Sequence, residues 1–135
     1  MLQKSVKLER GIYKRCKATA EDYYNLLRRR KEIEEEVILA GKNPSDGMPH
    51  GGTSDDETAR KAERLIARKR HLDELIKAVE SAWSFARDDT EKEFIRLNLF
   101  SHVPMNHIKL PMSLRTMKRC RQKFLINLAA NLFEI

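Results

Sequence analysis

Apolar residues recur at steps of three and four along most of this chain. Tyr23, Leu26, Arg30, Ile33, Val37 and Ala40 keep that spacing, with Arg30 the one polar member. Such spacing places them on one helical face and predicts a helix over 20–39. Thr19, with Asp22 three residues later, reads as its N-cap, a capping-box pattern with Asp in place of Glu. Ala62, Leu65, Lys69, Leu72, Ile76, Val79, Trp83 and Ala86 form a second, longer stripe with one lapse at Lys69. Their alternation is heptad-like, and Ser54 with Glu57 supplies a capping box ahead of it. A helix over 56–87 would be about 48 Å long. It cannot bury its stripe alone. The expected partner is the 20–39 helix folded back antiparallel, with a second copy of the chain covering the rest.

Glycine and proline place the boundaries. Four of the five glycines (Gly41, Gly47, Gly51, Gly52) and two of the four prolines (Pro44, Pro49) lie in GKNPSDGMPHGG, so 41–54 is expected to be a loop. From 53 to 103 there is neither Gly nor Pro, as an uninterrupted helical stretch requires. Before the first stripe, 4–17 reads as a shorter basic helix around Val6, Leu8, Ile12 and Tyr13, broken or capped near Gly11. After the second, Asp88, Asp89 and Thr90 end the long helix, and Thr90 with Glu93 caps another that carries Phe94, Ile95, Leu97, Leu99 and Phe100. A short stretch over 105–110 follows, then a turn at 111–113 and a last helix over 114–133. The order helix, short helix, turn, basic helix is that of a helix-turn-helix. The expected fold is all-α: an N-terminal, coiled-coil-like helical hairpin over 1–88 and a C-terminal helix-turn-helix domain over 89–135.

Composition narrows the classes. The chain has 135 residues, with 27 Lys+Arg against 20 Asp+Glu, a net charge of +7 and a mean hydropathy of −0.62. That length excludes a large multi-domain enzyme. No apolar run approaches the ~20 residues of a membrane helix, the start lacks an apolar leader core, and two cysteines make no disulfide framework. The expected setting is a reducing cytoplasm, with no membrane partner. The charge sits at the ends: 1–17 hold six positive and one negative residue, and 91–135 hold eight and three. Basic ends invite an anionic partner, nucleic acid above all.

The start of the last helix carries the chemistry. A helical wheel puts Leu114, Met117, Phe124, Leu125 and Leu128 on one arc and Arg115, Thr116, Arg119, Gln122 and Lys123 on the other, with Lys118 on the flank. Residues 113–123 hold five positive charges and no acid. Arg bonds guanine bidentately and Gln suits adenine, so Arg115, Arg119 and Gln122 are the expected base readers. Ser113, Thr116, Lys118 and Lys123 are expected on phosphates. Arg121 falls among the apolar residues and is expected to snorkel or to pair with an acid such as Glu93. The second half of the helix is apolar all round, Ile126 and Phe133 included, and needs cover on every side. Together with Leu72, Ile76, Val79 and Trp83 it forms the expected packing or oligomer surface.

Other chemistry is thin. His50, His71, His102 and His107 are spread out without cysteines nearby, which argues against a metal site. Cys16 and Cys120 read as packing residues, and the glycine loop lacks the GxxxxGK[ST] order of a phosphate loop. The run Glu32, Glu34, Glu35, Glu36 could face Arg68, Lys69 and Arg70, or only water. No pair of groups is arranged for acid–base or nucleophilic work, so neither an enzyme nor a cofactor is expected.

The loop from Asp46 to Asp55, containing Met48-Pro49-His50-Gly51-Gly52 and then Ser54-Asp55, resembles the "MP-basic-GG-x-SD" loop of RinA/ArpU-like late-transcription regulators encoded by phages of Gram-positive bacteria. Lys92-Glu93-Phe94-Ile95 and Ser113-Leu114-Arg115-Thr116 are similar to that family's entry to the penultimate helix and opening of the recognition helix. The resemblance implies two helices around the loop and a C-terminal domain like region four of sigma factors. It also implies DNA contacts by Arg115 and Thr116. One departure is that Pro104 and Pro111 bracket the middle helix and restrict it to about one turn. The expected function is DNA-binding regulation of phage or prophage late genes. The expected partners are double-stranded DNA and a second copy of the chain, a dimer being favoured, with RNA polymerase a further candidate. Two rivals are a phage small terminase subunit and a helical adaptor or anti-repressor that does not touch DNA.

Overall fold

A computed structural model describes residues 8–41 and 52–133; residues 1–7 lie outside that range, as do 42–51 of the loop expected over 41–54, while Gly41 and 52–54 at the ends of that loop are helical. Among the described residues every regular element is helical, and none is long and apolar enough to cross a membrane. The order is α1 (Arg10–Glu21), α2 (Tyr23–Gly41), α3 (Gly52–Ser84), α4 (Asp89–Ile95), a π-helical turn (Arg96–Phe100), a 3-10 turn (Met105–His107) and α5 (Leu114–Phe133).

The expected cap at Thr19 is not one. Thr19 lies inside α1, and its hydroxyl donates to the Arg15 carbonyl at 2.9 Å, the back-bond a mid-helix threonine makes instead of capping. α1 therefore runs through Gly11 and closes at Asp22, whose N–H reaches the carbonyls of Ala18 and Thr19 at 3.0 and 3.2 Å. In place of the predicted helices over 4–17 and 20–39 the chain forms α1 and α2 with a break at Asp22, and residues 4–7 of the first prediction lie outside the described residues. α3 starts at Gly52, four residues before the predicted start, and ends at Ser84, three before the predicted end; the side chains of the expected cap at 54–56 lie outside the described residues. The cap of α4 is Asp88, not Thr90. Asp88 Oδ1 accepts the Glu91 N–H at 2.9 Å, and Glu91 Oε1 accepts the Arg87 N–H at 3.0 Å. Both 88 and 90 carry capping residue types, and the extended backbone at Asp88 (φ −152°) selects the earlier one.

The π-helical turn closes through the Ser101 N–H on the Arg96 carbonyl at 2.9 Å and turns Asn98, Leu99 and Phe100 inward. His102 follows with φ 61°, a left-handed residue that reverses the chain so that the Val103 N–H meets the Leu97 carbonyl at 2.8 Å.

The chain forms two compact units. The first joins Met1–Tyr24 to Leu75–Ile135, and the second is Asn25–Glu74. These boundaries fall inside α2 and α3, elsewhere than the expected split between 1–88 and 89–135. In the first unit, α1 packs on α5 and on the π-helical turn, and α4 packs on α5. Phe94, Ile95, Leu99, Leu125, Leu128, Ile76 and Val79 are fully buried. Phe100 gathers the rings of Tyr23, Trp83 and Phe124 at centroid distances of 4.6, 5.3 and 6.2 Å, tilted or edge-on as aromatic pairs prefer. In the second unit Leu26, Leu65 and Leu72 are buried, and Arg30 reaches Asp73 at 3.3 Å and Glu34 at 3.8 Å.

Replacing Asp88 by Ala is expected to cost about 1 kcal/mol of stability in urea unfolding. Thr90→Ala, one residue inside the helix, is expected to change it by less than about 0.5 kcal/mol.

Candidate nucleic-acid interface

Ser113 starts α5. Its Oγ accepts the Thr116 N–H at 3.1 Å, and its hydroxyl donates to Thr116 Oγ1 at 2.9 Å. These two of the four expected phosphate ligands are exposed, and both are engaged in this cap. Beyond it the two predicted faces separate as the 3.6-residue period requires. Met117, Cys120, Phe124, Leu125, Leu128 and Ala129 are buried. Arg115, Lys118, Arg119 and Lys123 are exposed, and among the described residues none of the four makes an ion pair.

Two members of the expected arcs stand differently. Leu114 is 52% exposed, because cover by the core begins only at Met117, one turn later. Gln122, expected to read bases, is half-buried and already has an interaction inside the protein. Of the expected packing residues, Leu72, Ile76 and Val79 are buried within the single chain. Trp83, half-buried, donates its ring N–H to the Lys92 carbonyl at 3.0 Å. Ile126 and Phe133 are half-buried and keep some apolar area free.

Arg121 does not pair with Glu93. Glu93 is taken by Arg96, whose Nε donates to it at 2.8 Å; that bond holds the Glu93 carboxyl below its ordinary value. Arg121 instead gives Nη2 to the Tyr13 hydroxyl at 3.1 Å and Nη1 to Asn98 Oδ1 at 3.5 Å, while its Nε is buried without a partner. Asn98 passes the link on through Nδ2 to the Val103 carbonyl at 3.0 Å. One guanidinium thus joins α1, the π-helical turn and α5. Sequence reasoning missed Tyr13 and Asn98, because partners 108 and 23 residues away leave no local spacing.

Between 101 and 113 the one helical turn is Met105–His107, with Ile108 buried beside α5. Pro104 precedes it, and it ends where Ile108 takes up extended backbone (φ −87°, ψ 122°), three residues before Pro111. His102 Nε2 lies 2.6 Å from the Glu21 carbonyl. Among the described residues no three His, Cys, Asp or Glu side chains cluster as ligands. Both thiols are buried. Burial pushes Cys16 up to about 11; burial first, and then the Glu91 carboxylate, pushes Cys120 up to about 12. Neither is a thiolate at neutral pH.

The charge follows the fold. The segments of the first unit contain 16 Lys+Arg and 9 Asp+Glu, while Asn25–Glu74 contains 11 of each. All of the net +7 therefore belongs to the unit that presents the α5 arc. No family model, curated protein or solved structure matches the chain.

The thiols give a test of this packing. A thiol whose folded value is raised adds stability that is complete below its unfolded value of 9.0 and is lost as pH rises through the folded values of about 11 and 12. Urea unfolding at pH 8 and pH 10 is expected to show lower stability at pH 10, with the difference reduced in a Cys16→Ala, Cys120→Ala variant.

Proposed function

We propose that this chain is a DNA-binding transcription regulator, a phage- or prophage-encoded activator of late genes acting in the host cytoplasm. The observation that carries this proposal is the outward arc of α5: Arg115, Lys118, Arg119 and Lys123, all exposed, in a stretch where 113–123 holds no acid. A solvated helical face ordinarily mixes signs, whereas a phosphate-facing one does not. In this proposal α4 with the π-helical turn, the 3-10 turn and α5 act as a helix-turn-helix shortened in its middle element. Arg119 and Arg115 read base edges, with Gln122 at the margin. Lys118 and Lys123 hold phosphates, and Ser113 and Thr116 present the first turn of α5 to the backbone. The charge-neutral second unit, as a helical hairpin, supplies the contact to a second copy or to RNA polymerase. The resemblance of the loop around Met48 and Pro49 to RinA/ArpU-like regulators supports the choice of late transcription over DNA packaging.

Arg119→Ala is expected to weaken binding to a duplex selected from a random pool by about 1–3 kcal/mol, measured by fluorescence anisotropy. Unchanged affinity would remove Arg119 from the base-reading role. Light scattering separates the packaging alternative, which requires a ring of many subunits where a regulator is expected as a dimer.

A further inference from the structure

The basic start of the chain, six positive and one negative residue over 1–17, lies outside the α5 arc. We infer that α1 is a second phosphate-binding element of the unit that carries α5, holding the DNA backbone through Arg10, Lys14 and Arg15. The inference rests on the DNA-binding proposal and extends it to a part of the molecule that lies more than 90 residues from α5 in sequence.

Three observations carry it. First, α1 belongs to the unit of α5 and packs directly on it. The bond from Arg121 Nη2 to the Tyr13 hydroxyl fixes the first turn of α1 against the third turn of α5, one helical turn beyond Lys118. Packed helices lie about 8–10 Å apart, axis to axis.

Second, the outward side of α1 is cationic and uncommitted. Arg10, Lys14 and Arg15 are exposed, and none of their side chains makes an ion pair or hydrogen bond among the described residues. Lys17 differs: it reaches Glu21 at 3.8 Å, so its charge is partly spent and it is left out of the site. Glu9, just before the helix, is the one acid beside these three.

Third, the residues between the cations are small. Gly11 and Ala18 are exposed on the same outward arc, at steps of three and four from Lys14 and Arg15. A Cβ at Gly11 would meet only the Glu9 carboxylate, at 3.7 Å, so no internal contact requires glycine there. Glycine is a poor helix former, and a missing side chain on an outer face allows close approach by something outside the fold. A sugar–phosphate backbone seated over Gly11 and Ala18 would meet Arg10 and Lys14 on one side and Arg15 on the other.

The salt dependence of binding counts such contacts. Each phosphate neutralised contributes about 0.9 to the slope of log K against log salt for duplex DNA. The full-length chain is titrated onto a fluorescent random-sequence duplex between about 50 and 200 mM salt. The Arg10→Ala, Lys14→Ala, Arg15→Ala variant is expected to lose about 2–3 from the slope, and Lys14→Gln alone, which preserves side-chain length, about 0.9. Lys77→Ala removes an exposed charge from α3 of the same unit and is expected to leave the slope unchanged. Circular dichroism confirms that each variant keeps its helicity. If the unmodified chain binds with a steep slope and the α1 variants match it, α1 is not a phosphate site and the α5 proposal stands. If Lys77→Ala shifts the slope as much as Lys14→Gln, the effect is one of net charge and the α1 site is overturned. If the unmodified chain shows no salt-dependent binding at all, both fall.

Discussion

One side of the apolar half of α5 is closed off from water, and the rest of the first unit is arranged to cover it. Leu125, Leu128 and Ala129 have no exposed surface. α1 and α4 pack along the helix, and α3 is tied to it where Asn131 Nδ2 donates to the Ala78 carbonyl at 3.0 Å. Burying one such leucine is worth roughly 1.5–3 kcal/mol, so elements from both ends of the chain are recruited to the same core. One consequence concerns function: a helix gripped on its apolar side presents its polar side in a fixed register. Arg115, Arg119 and Lys123 project outward because Met117, Phe124 and Leu125 are held inward.

A second consequence is electrostatic. Covering α5 with α1 brings the two basic ends of the chain into one unit, while Asn25–Glu74 balances its charges internally. The whole of the net excess thereby belongs to the first unit, and a concentrated charge of one sign is what steers a polyanion. Arg121 stands apart from this surface. Its guanidinium is held by the neutral acceptors of Tyr13 and Asn98, with no carboxylate bonded to it. A part-buried charge on neutral partners is costly unless its hydrogen bonds are well made. Here those bonds join the three elements that must stay together for α5 to be presented at all.

Much of this was legible in the sequence, and the failures have physical reasons. The stripe through Leu65, Leu72, Ile76 and Val79 was readable because a long helix repeats its period many times. The two arcs of α5 were readable for the same reason, and Pro104 with Pro111 marked the one-turn middle element. Caps were less legible: Thr19 and Thr90 have the right chemistry, but a threonine inside a helix bonds its own i−4 carbonyl, and Asp88 competes for the same helix end. Gly11 looked like a break because glycine is a poor helix former, yet it sits inside α1. The π-helical turn, the left-handed His102 and the partners of Arg121 were not legible. Each depends on contacts between residues that only the folded chain brings together. The grouping of α1 with α5 is of this kind: nothing in local spacing ties residue 13 to residue 121.

The claim on which the account turns is that the first unit, through the outward side of α5, is the nucleic-acid surface. The most direct measurement is an NMR titration of the isotope-labelled full-length chain with duplex DNA at low salt, following backbone amides residue by residue. Shifts concentrated at 113–123, with Asn25–Glu74 unmoved, are the expected result. Shifts confined to Asn25–Glu74, or none anywhere under conditions where basic proteins bind best, would contradict it.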